Sequence, residues 1–193
     1  TQLHLSEVTL VGFSMGGGEI ASYIGKYGTD KIERVVFVSS VTPFRLKTED
    51  NPDGTDKQTF DDTIHKIEQD RPAFLVEFGK KFYGVEDKKQ TVSQAMLDWN
   101  QNLCLMSSAK ATVDCVRSFS ETDFREDIKK ITVPVLIIHG DADKTVPIEA
   151  SGDKTAALLP DAKYIVYKNA PHGLFITEKE KLNADLIRFI TEK

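Results

Sequence analysis

The 193-residue sequence contains little cysteine, and that scarcity excludes two classes of protein. Cys104 and Cys115 are too few for a small scaffold held together by disulfides. Neither cysteine has a histidine nearby or a spacing typical of metal ligands, so we expect no metal site and no cofactor. We expect both thiols to be reduced core residues, which indicates a reducing compartment and hence the cytoplasm.

Excess positive charge and long hydrophobic runs are also lacking. Lysine and arginine number 25 against 30 acidic residues, a formal net charge of −5 that leaves no basic patch for nucleic acid or an anionic membrane. The apolar runs have the length of strands, so none could cross a bilayer, and no signal peptide is recognisable. The hydrophobic content of 40% is that of a globular chain long enough for one domain, and homo-oligomerisation stays open.

What the sequence does contain is a G-x-S-x-G pentapeptide near its start, residues 12–16. A β-branched apolar segment, residues 8–11, precedes it, and apolar residues at helical spacing follow it from Ile20 to Tyr27. A strand that turns into a helix through this pentapeptide is typical of a nucleophile elbow. Both glycines should be needed to avoid a collision, and Ser14 should have a strained, positive φ. The alternative is an ordinary glycine-rich turn.

Three further apolar runs predict strands at residues 34–38, 133–138 and 162–168. Helical segments separate them, so the chain should form an α/β fold with a mostly parallel sheet and helices on both faces. A capping box at Thr177 and Glu180 predicts the start of the last helix.

No strand is predicted between the second and third of these runs, where apolar spacing favours four helices. We therefore predict an α/β core at residues 1–42 and 124–193 and a helical cap insertion at residues 43–123. An insertion that leaves the sheet and returns to it there should lie over the active-site edge. Its aromatic side chains either pack the insertion's own core or form the wall of a substrate pocket. The candidates for that wall are Phe74, Phe78, Phe82 and Trp99.

Polar residues follow three of the predicted strands at their carboxyl ends, where open parallel sheets place active sites. They are Ser14, Asp143 and His172. A serine attacks at neutral pH only when a base takes its proton, and a histidine is an effective base when a carboxylate holds its tautomer. The chain order Ser, Asp, His is that of α/β-hydrolases. Asp141 is a rival for the acid, whereas His139 is interpreted as structural.

The sequence resembles the cofactor-free haloperoxidase and arylesterase branch of the α/β-hydrolase superfamily. The matching motifs lie at residues 8–19, 139–148 and 170–174, with further matches at residues 119–124 and 182–186. The resemblance extends over essentially the whole chain. It implies the α/β-hydrolase fold, with Ser14 as nucleophile, Asp143 as acid and His172 as base. It also implies the backbone N–H of Met15 as an oxyanion donor.

Two features depart from the family's pattern. Phe13 precedes the nucleophile where this family usually has histidine, which should change packing beneath the elbow. The chain also begins at the elbow strand, whereas family members carry several strands before it, with a loop that supplies a second oxyanion donor. We expect a fragment, a chain completed by a partner, or a reorganised fold.

The resemblance implies a serine hydrolase that cleaves small carboxylic esters through an acyl-enzyme. It also implies perhydrolysis, in which hydrogen peroxide replaces water and the peracid oxidises halide without a metal or haem. The expected partner is a small-molecule ester. A lactonase or C–C hydrolase on the same triad is one alternative, and a non-catalytic fragment or binding domain is the other.

Overall fold

A computed structural model describes residues 5–85 and 91–192, and its centre is a four-stranded sheet in the order β1-β2-β3-β4. Every neighbouring pair of strands is parallel. Each strand coincides with an apolar run of the sequence, and all six residues of β3 are buried because helices cover both faces. The strands are Val8–Phe13 (β1), Ile32–Val38 (β2), Val135–Gly140 (β3) and Lys163–Tyr167 (β4).

Helices connect the strands and cover the sheet. They are Met15–Tyr27 (α1), Lys57–Tyr83 (α2), Gln94–Leu105 (α3), Ala109–Glu121 (α4), Arg125–Ile128 (α5), Gly152–Leu158 (α6), Leu174–Thr177 (α7) and Lys179–Thr191 (α8). Among the described helices, none has both the length and the hydrophobicity that a bilayer span needs.

The alternation of side chains along β2 divides the core into two layers. Val35 and Phe37 pack with residues of α1, whereas Val36 and Val38 pack with residues of α7 and α8 on the other face. All four side chains are essentially fully buried. Successive residues of a strand point to opposite faces, so one continuous apolar run supplies both layers.

The helices α2, α3 and α4 all lie within residues 43–123. Residues of α2 and α4, including Phe60, Ile64 and Val113, form a separate hydrophobic cluster. The sequence predicted two helices where α2 now runs, and the structure has a break there at Asp70, with φ −151° and ψ 80°. The Asp70 Oδ1 accepts a hydrogen bond from the Ala73 N–H at 3.0 Å and so caps the second half. The division into core and cap stays a prediction.

Three local expectations are wrong. Thr177 ends α7 instead of capping α8, and its Oγ1 is buried without a hydrogen-bond partner. The helix expected from Ile148 is divided into a 3₁₀ turn, Ile148–Ala150, and α6, because Ser151 leaves helical geometry and its Oγ donates to the Pro147 carbonyl at 2.6 Å. Cys104 and Cys115 are free thiols, but they are half-buried rather than in the core.

Candidate active site

Ser14 lies in the turn between β1 and α1 and has the expected strained backbone, with φ 53° and ψ −119°. Two backbone hydrogen bonds to the chain after β2 hold this turn: the Ser14 N–H donates to Val38, and the Val41 N–H donates to the Ser14 carbonyl. A Cβ on Gly12 would lie 2.7 Å from the Gly16 carbonyl carbon, so no larger residue fits there. The same expectation for Gly16 is wrong, because a Cβ there would contact nothing within 4 Å.

The structure brings Ser14, His172 and Asp143 together in one chain of hydrogen bonds. The His172 Nε2 lies 3.0 Å from the Ser14 Oγ, and the His172 Nδ1 lies 2.6 Å from the Asp143 Oδ2. The carboxylate can only accept, so Nδ1–H donates to it and Nε2 is left to accept the serine proton. His172 and Asp143 are 1% and 5% exposed, which shields both from water.

Asp143 is held as an anion by donors on both of its oxygens. Its Oδ1 accepts from the N–H groups of Thr145 at 2.9 Å and Val146 at 2.7 Å, while its Oδ2 faces His172 and, at 3.4 Å, His139. Burial alone would raise the pKa of Asp143, but the hydrogen bonds from the two histidines and from Val146 lower that pKa well below its ordinary value.

The neighbouring candidates His139 and Asp141 make hydrogen bonds to the backbone of the loops around Asp143 and His172 instead. The His139 Nε2–H donates to the Val146 carbonyl at 2.9 Å, which fixes the turn that carries Asp143. Asp141 is exposed, and its Oδ1 accepts from the backbone N–H of Asn169 in the loop before His172. The structure therefore places Asp143, and not Asp141, against His172.

The C-terminal end of α2 packs directly on the loop that carries His172. The Gly173 N–H donates to the Phe82 carbonyl at 2.8 Å, and a Cβ on Gly84 (φ 66°) would lie 2.9 Å from the Pro171 side chain. The ring centroid of Phe82 is 4.9 Å from that of His172, in an edge-to-face arrangement. The insertion therefore supplies an apolar wall to the histidine.

Two further aromatic residues, one in contact with the His172 ring and one beside its aromatic neighbours, were not predicted. Phe13, the departure from the family pattern, lies 5.0 Å from the His172 ring and 4.9 Å from the ring of Phe175. Phe175 also lies 6.1 Å from Phe82. Phe175 follows His172 by three residues, and this proximity in sequence was the signal that could have suggested its place among these rings.

The other residues predicted for the pocket wall lie progressively farther from His172 than Phe82 does. Phe78 lies between Phe82 and Phe74: its ring is tilted against that of Phe82 at 5.8 Å and stacked on that of Phe74 at 5.6 Å. Phe74 also packs against the hydrophobic cluster of α2 and α4. Trp99 is the exception: it lies on α3, is 55% exposed and makes no ring contact with the described aromatic side chains. Its position does not support a role in the wall.

Met15 is the first residue of α1, so its N–H has no acceptor within the helix and lies beside Ser14. The positive end of the helix dipole lies at the same place. Within residues 5–85 and 91–192, no group of three or more His, Cys, Asp or Glu residues could hold a metal ion. What the arrangement can do is activate a serine and stabilise an oxyanion beside it.

Comparison with known proteins agrees with this geometry. The family described as alpha/beta hydrolase fold matches residues 1–179. The bifunctional esterase/perhydrolase DCH of Acinetobacter calcoaceticus is 43% identical over 183 residues, which cover 93% of this chain and 66% of that protein. A non-heme chloroperoxidase of Kitasatospora aureofaciens is 37% identical over 194 residues, which cover 100% of this chain and 70% of that protein.

Among solved structures, bromoperoxidase from Bacillus anthracis superposes with a TM-score of 0.95 at 46% sequence identity. The superposition covers 99% of this chain and 70% of that one, so it includes the sheet, the insertion and the loops of Ser14, Asp143 and His172. The chain belongs to the α/β-hydrolase fold family, in its non-haem haloperoxidase branch.

Proposed function

We propose that this chain is a serine hydrolase that cleaves small carboxylic esters through an acyl-enzyme. The observation that carries the proposal is the unbroken chain of hydrogen bonds from the Ser14 hydroxyl through His172 to Asp143, at 3.0 Å and 2.6 Å. A positioned base of this kind gives a serine the nucleophilicity that it lacks alone.

The reaction follows from the roles of these groups. His172 Nε2 takes the Ser14 proton while Oγ attacks the ester carbonyl, and Asp143 stabilises the imidazolium that forms. The Met15 N–H donates to the developing oxyanion. His172 then gives its proton to the leaving alcohol, and an activated water releases the carboxylic acid from Ser14.

Perhydrolysis is the second candidate, and the names of the relatives favour it. Hydrogen peroxide would attack the acyl-enzyme in place of water, giving a peroxycarboxylic acid and free Ser14. The peracid would then oxidise halide to hypohalous acid and be reduced to the carboxylic acid. In this scheme the triad makes the oxidant, and the halide reacts in solution.

We further assign residues 43–123 as a cap whose aromatic residues exclude water from the acyl pocket. The contact of Phe82 with His172 supports this assignment. An edge-on aromatic ring limits the space beside the histidine, which favours short acyl groups.

A fluorophosphonate probe and an aryl acetate test the proposal together. The protein should react covalently with the probe and should release the phenol from the aryl acetate. Ser14→Ala should do neither. Exposed Ser118→Ala on α4 is the matched control and should behave as the parent protein. Labelling without acetate hydrolysis would indicate a lactonase or C–C hydrolase. Absence of labelling would contradict an activated serine.

A further inference from the structure

Arg45 is a buried cation in the chain segment that follows β2. Only 4% of the surface of Arg45 is exposed to solvent. The backbone around it is held firmly: the Thr55 N–H donates to the Arg45 carbonyl at 2.8 Å, and the Phe124 N–H donates to Pro43 at 2.9 Å. The segment begins at the Ser14 turn, since the Val41 N–H donates to the Ser14 carbonyl.

The guanidinium of Arg45 lacks the partners that a buried charge requires. Its Nε and Nη1 have no hydrogen-bond partner, and its Nη2 reaches only the Thr55 Oγ1 at 3.4 Å. By contrast, Arg125 contacts Asp50 and Asp123 at 2.7 Å each. A buried charge is normally paired, because a buried donor without a hydrogen bond costs the full free energy of its desolvation.

The segment of Arg45 is attached to the triad through Val41. The Val41 N–H donates to the Ser14 carbonyl, and the Val41 side chain shares a hydrophobic cluster with Val146, the residue whose N–H donates to Asp143 Oδ1. Burial lowers the pKa of Arg45, and the negative charge of Asp143 opposes that shift, so the two groups lie within each other's field. Lys81, the residue before Phe82, lies within the fields of both Asp143 and Arg45. The oxygens of Asp143 already accept from Thr145, Val146 and His172. Arg45 is therefore not needed to satisfy that carboxylate.

We propose that Arg45 binds a carboxylate group of the substrate, so that the preferred esters carry a carboxylate in addition to the ester bond. The inference rests on the proposed function, since it names the substrate class of the same site. A guanidinium has five N–H donors in a planar fork that matches a carboxylate, and a buried one gains most from such a partner. Lys81 adds a second positive charge whose field reaches Arg45.

Two ester pairs test this substrate class. In 4-acetoxybenzoate the carboxylate is on the alcohol half, and in monomethyl adipate it is on the acyl half. Each is compared with the ester that has a carboxamide in its place. We expect kcat/KM to favour the charged member of at least one pair by about tenfold or more. Arg45→Met should abolish that ratio, and Arg45→Lys should keep part of it.

Arg117→Met is the matched control, because it removes one positive charge from the exposed surface of α4. It should leave the ratio unchanged. Equal kcat/KM within both pairs, or a preference that survives Arg45→Met, would overturn the proposal. A uniform fall for charged and neutral esters in Arg45→Met would also overturn it, since Arg45 would then only support Asp143.

Calorimetry separates this inference from the proposed function. The protein should bind 4-hydroxybenzoate or adipate at least about tenfold more tightly than the corresponding carboxamide, whether or not it cleaves any ester. Binding without turnover would contradict the proposed esterase function and support the carboxylate site at Arg45. Equal affinity for acid and amide in both cases would overturn the site. This measurement needs no variant, so it decides the question even if Arg45→Met fails to fold.

Discussion

Asp141 and Asp143 are separated by one residue at the end of β3, yet their side chains have different partners. Asp143 is buried and contacts His172 at 2.6 Å, whereas Asp141 is exposed and accepts from the backbone of Asn169. The sequence favoured Asp143 through the pattern H-G-x-x-D-x-x-x-P at residues 139–147 and kept Asp141 as a rival, because a sequence alone does not show which carboxylate turns inward. The hydrogen bonds from Thr145 and Val146 turn Asp143 toward the histidine.

We therefore expect the two carboxylates to differ greatly in their effect on turnover. Asp143→Asn should lower kcat for an aryl acetate by about 10⁴-fold, because an amide no longer holds His172 in the productive tautomer. Asp141→Asn, the matched control, should cost far less, since it only weakens a loop contact. Steady-state kinetics of both variants checks this. A crippled Asp141→Asn enzyme would show that the acid is misassigned.

The pKa of Asp143 also gives stability a pH dependence. Because its pKa in the folded state lies below the ordinary value of about 3.9, the carboxylate contributes stability above that pH and loses it as the pH falls through the folded value. The stability difference between the parent protein and Asp143→Asn should therefore shrink below about pH 4. Urea unfolding at several pH values measures it, with exposed Asp161→Asn as control. A difference that grows on acidification would contradict the assignment.

At the scale of elements, the end of α2 contacts the loop that carries His172. The sequence predicted its two halves from helical spacing, and Asp70 and Pro72 account for the break between them. It could not predict which aromatic residue meets His172, because that depends on how the helix docks. Gly84 and Gly173 permit the close approach of the two segments, and Phe82 is the ring that results.

Replacing Phe82 should change the preference for acyl length. Phe82→Ala removes the ring beside His172 and should raise kcat/KM for octanoate relative to butyrate esters several-fold, since each methylene that fits is worth about 1–3 kcal/mol. Trp99→Ala removes a comparable ring from the exposed surface and should leave the ratio unchanged. The ratio does not depend on the active fraction of the preparation. A shift with Trp99→Ala and none with Phe82→Ala would show that the pocket wall is elsewhere.

At the scale of the whole molecule, the sequence predicted what is local or periodic. All four strands and the three polar loops follow from apolar runs and the residues after them. The burial of Arg45 was not predicted, because nothing in the neighbouring sequence indicates it: a single arginine in a polar loop is usually exposed. Its place depends on folding, since the Thr55 N–H donates to the Arg45 carbonyl and the Phe124 N–H, 81 residues farther along the chain, donates to the Pro43 carbonyl.

The two edges of the sheet differ in how they are protected. β4 begins with Lys163, which pairs with Glu192 at 3.0 Å, and Lys168 follows its end. β1 contains no charged residue, and Val11 on it is 48% exposed. Beside β1 lies a mostly apolar cleft of about 760 Å³, lined by residues of β1 and α1. An uncharged apolar edge of this kind is open to pairing with another chain.

We expect the 193-residue chain to self-associate through this edge as its concentration rises. Val11→Lys places a charge on β1 and should weaken association by at least about tenfold, because pairing would then bury an unpaired ammonium. Ile187→Lys makes a similar change on α8, where the parent side chain is 63% exposed, and should have little effect. Sedimentation equilibrium measures all three proteins. A monomeric parent chain at tens of micromolar, or equal effects of both lysines, would refute the role of β1, since a general gain in solubility would explain the latter equally well.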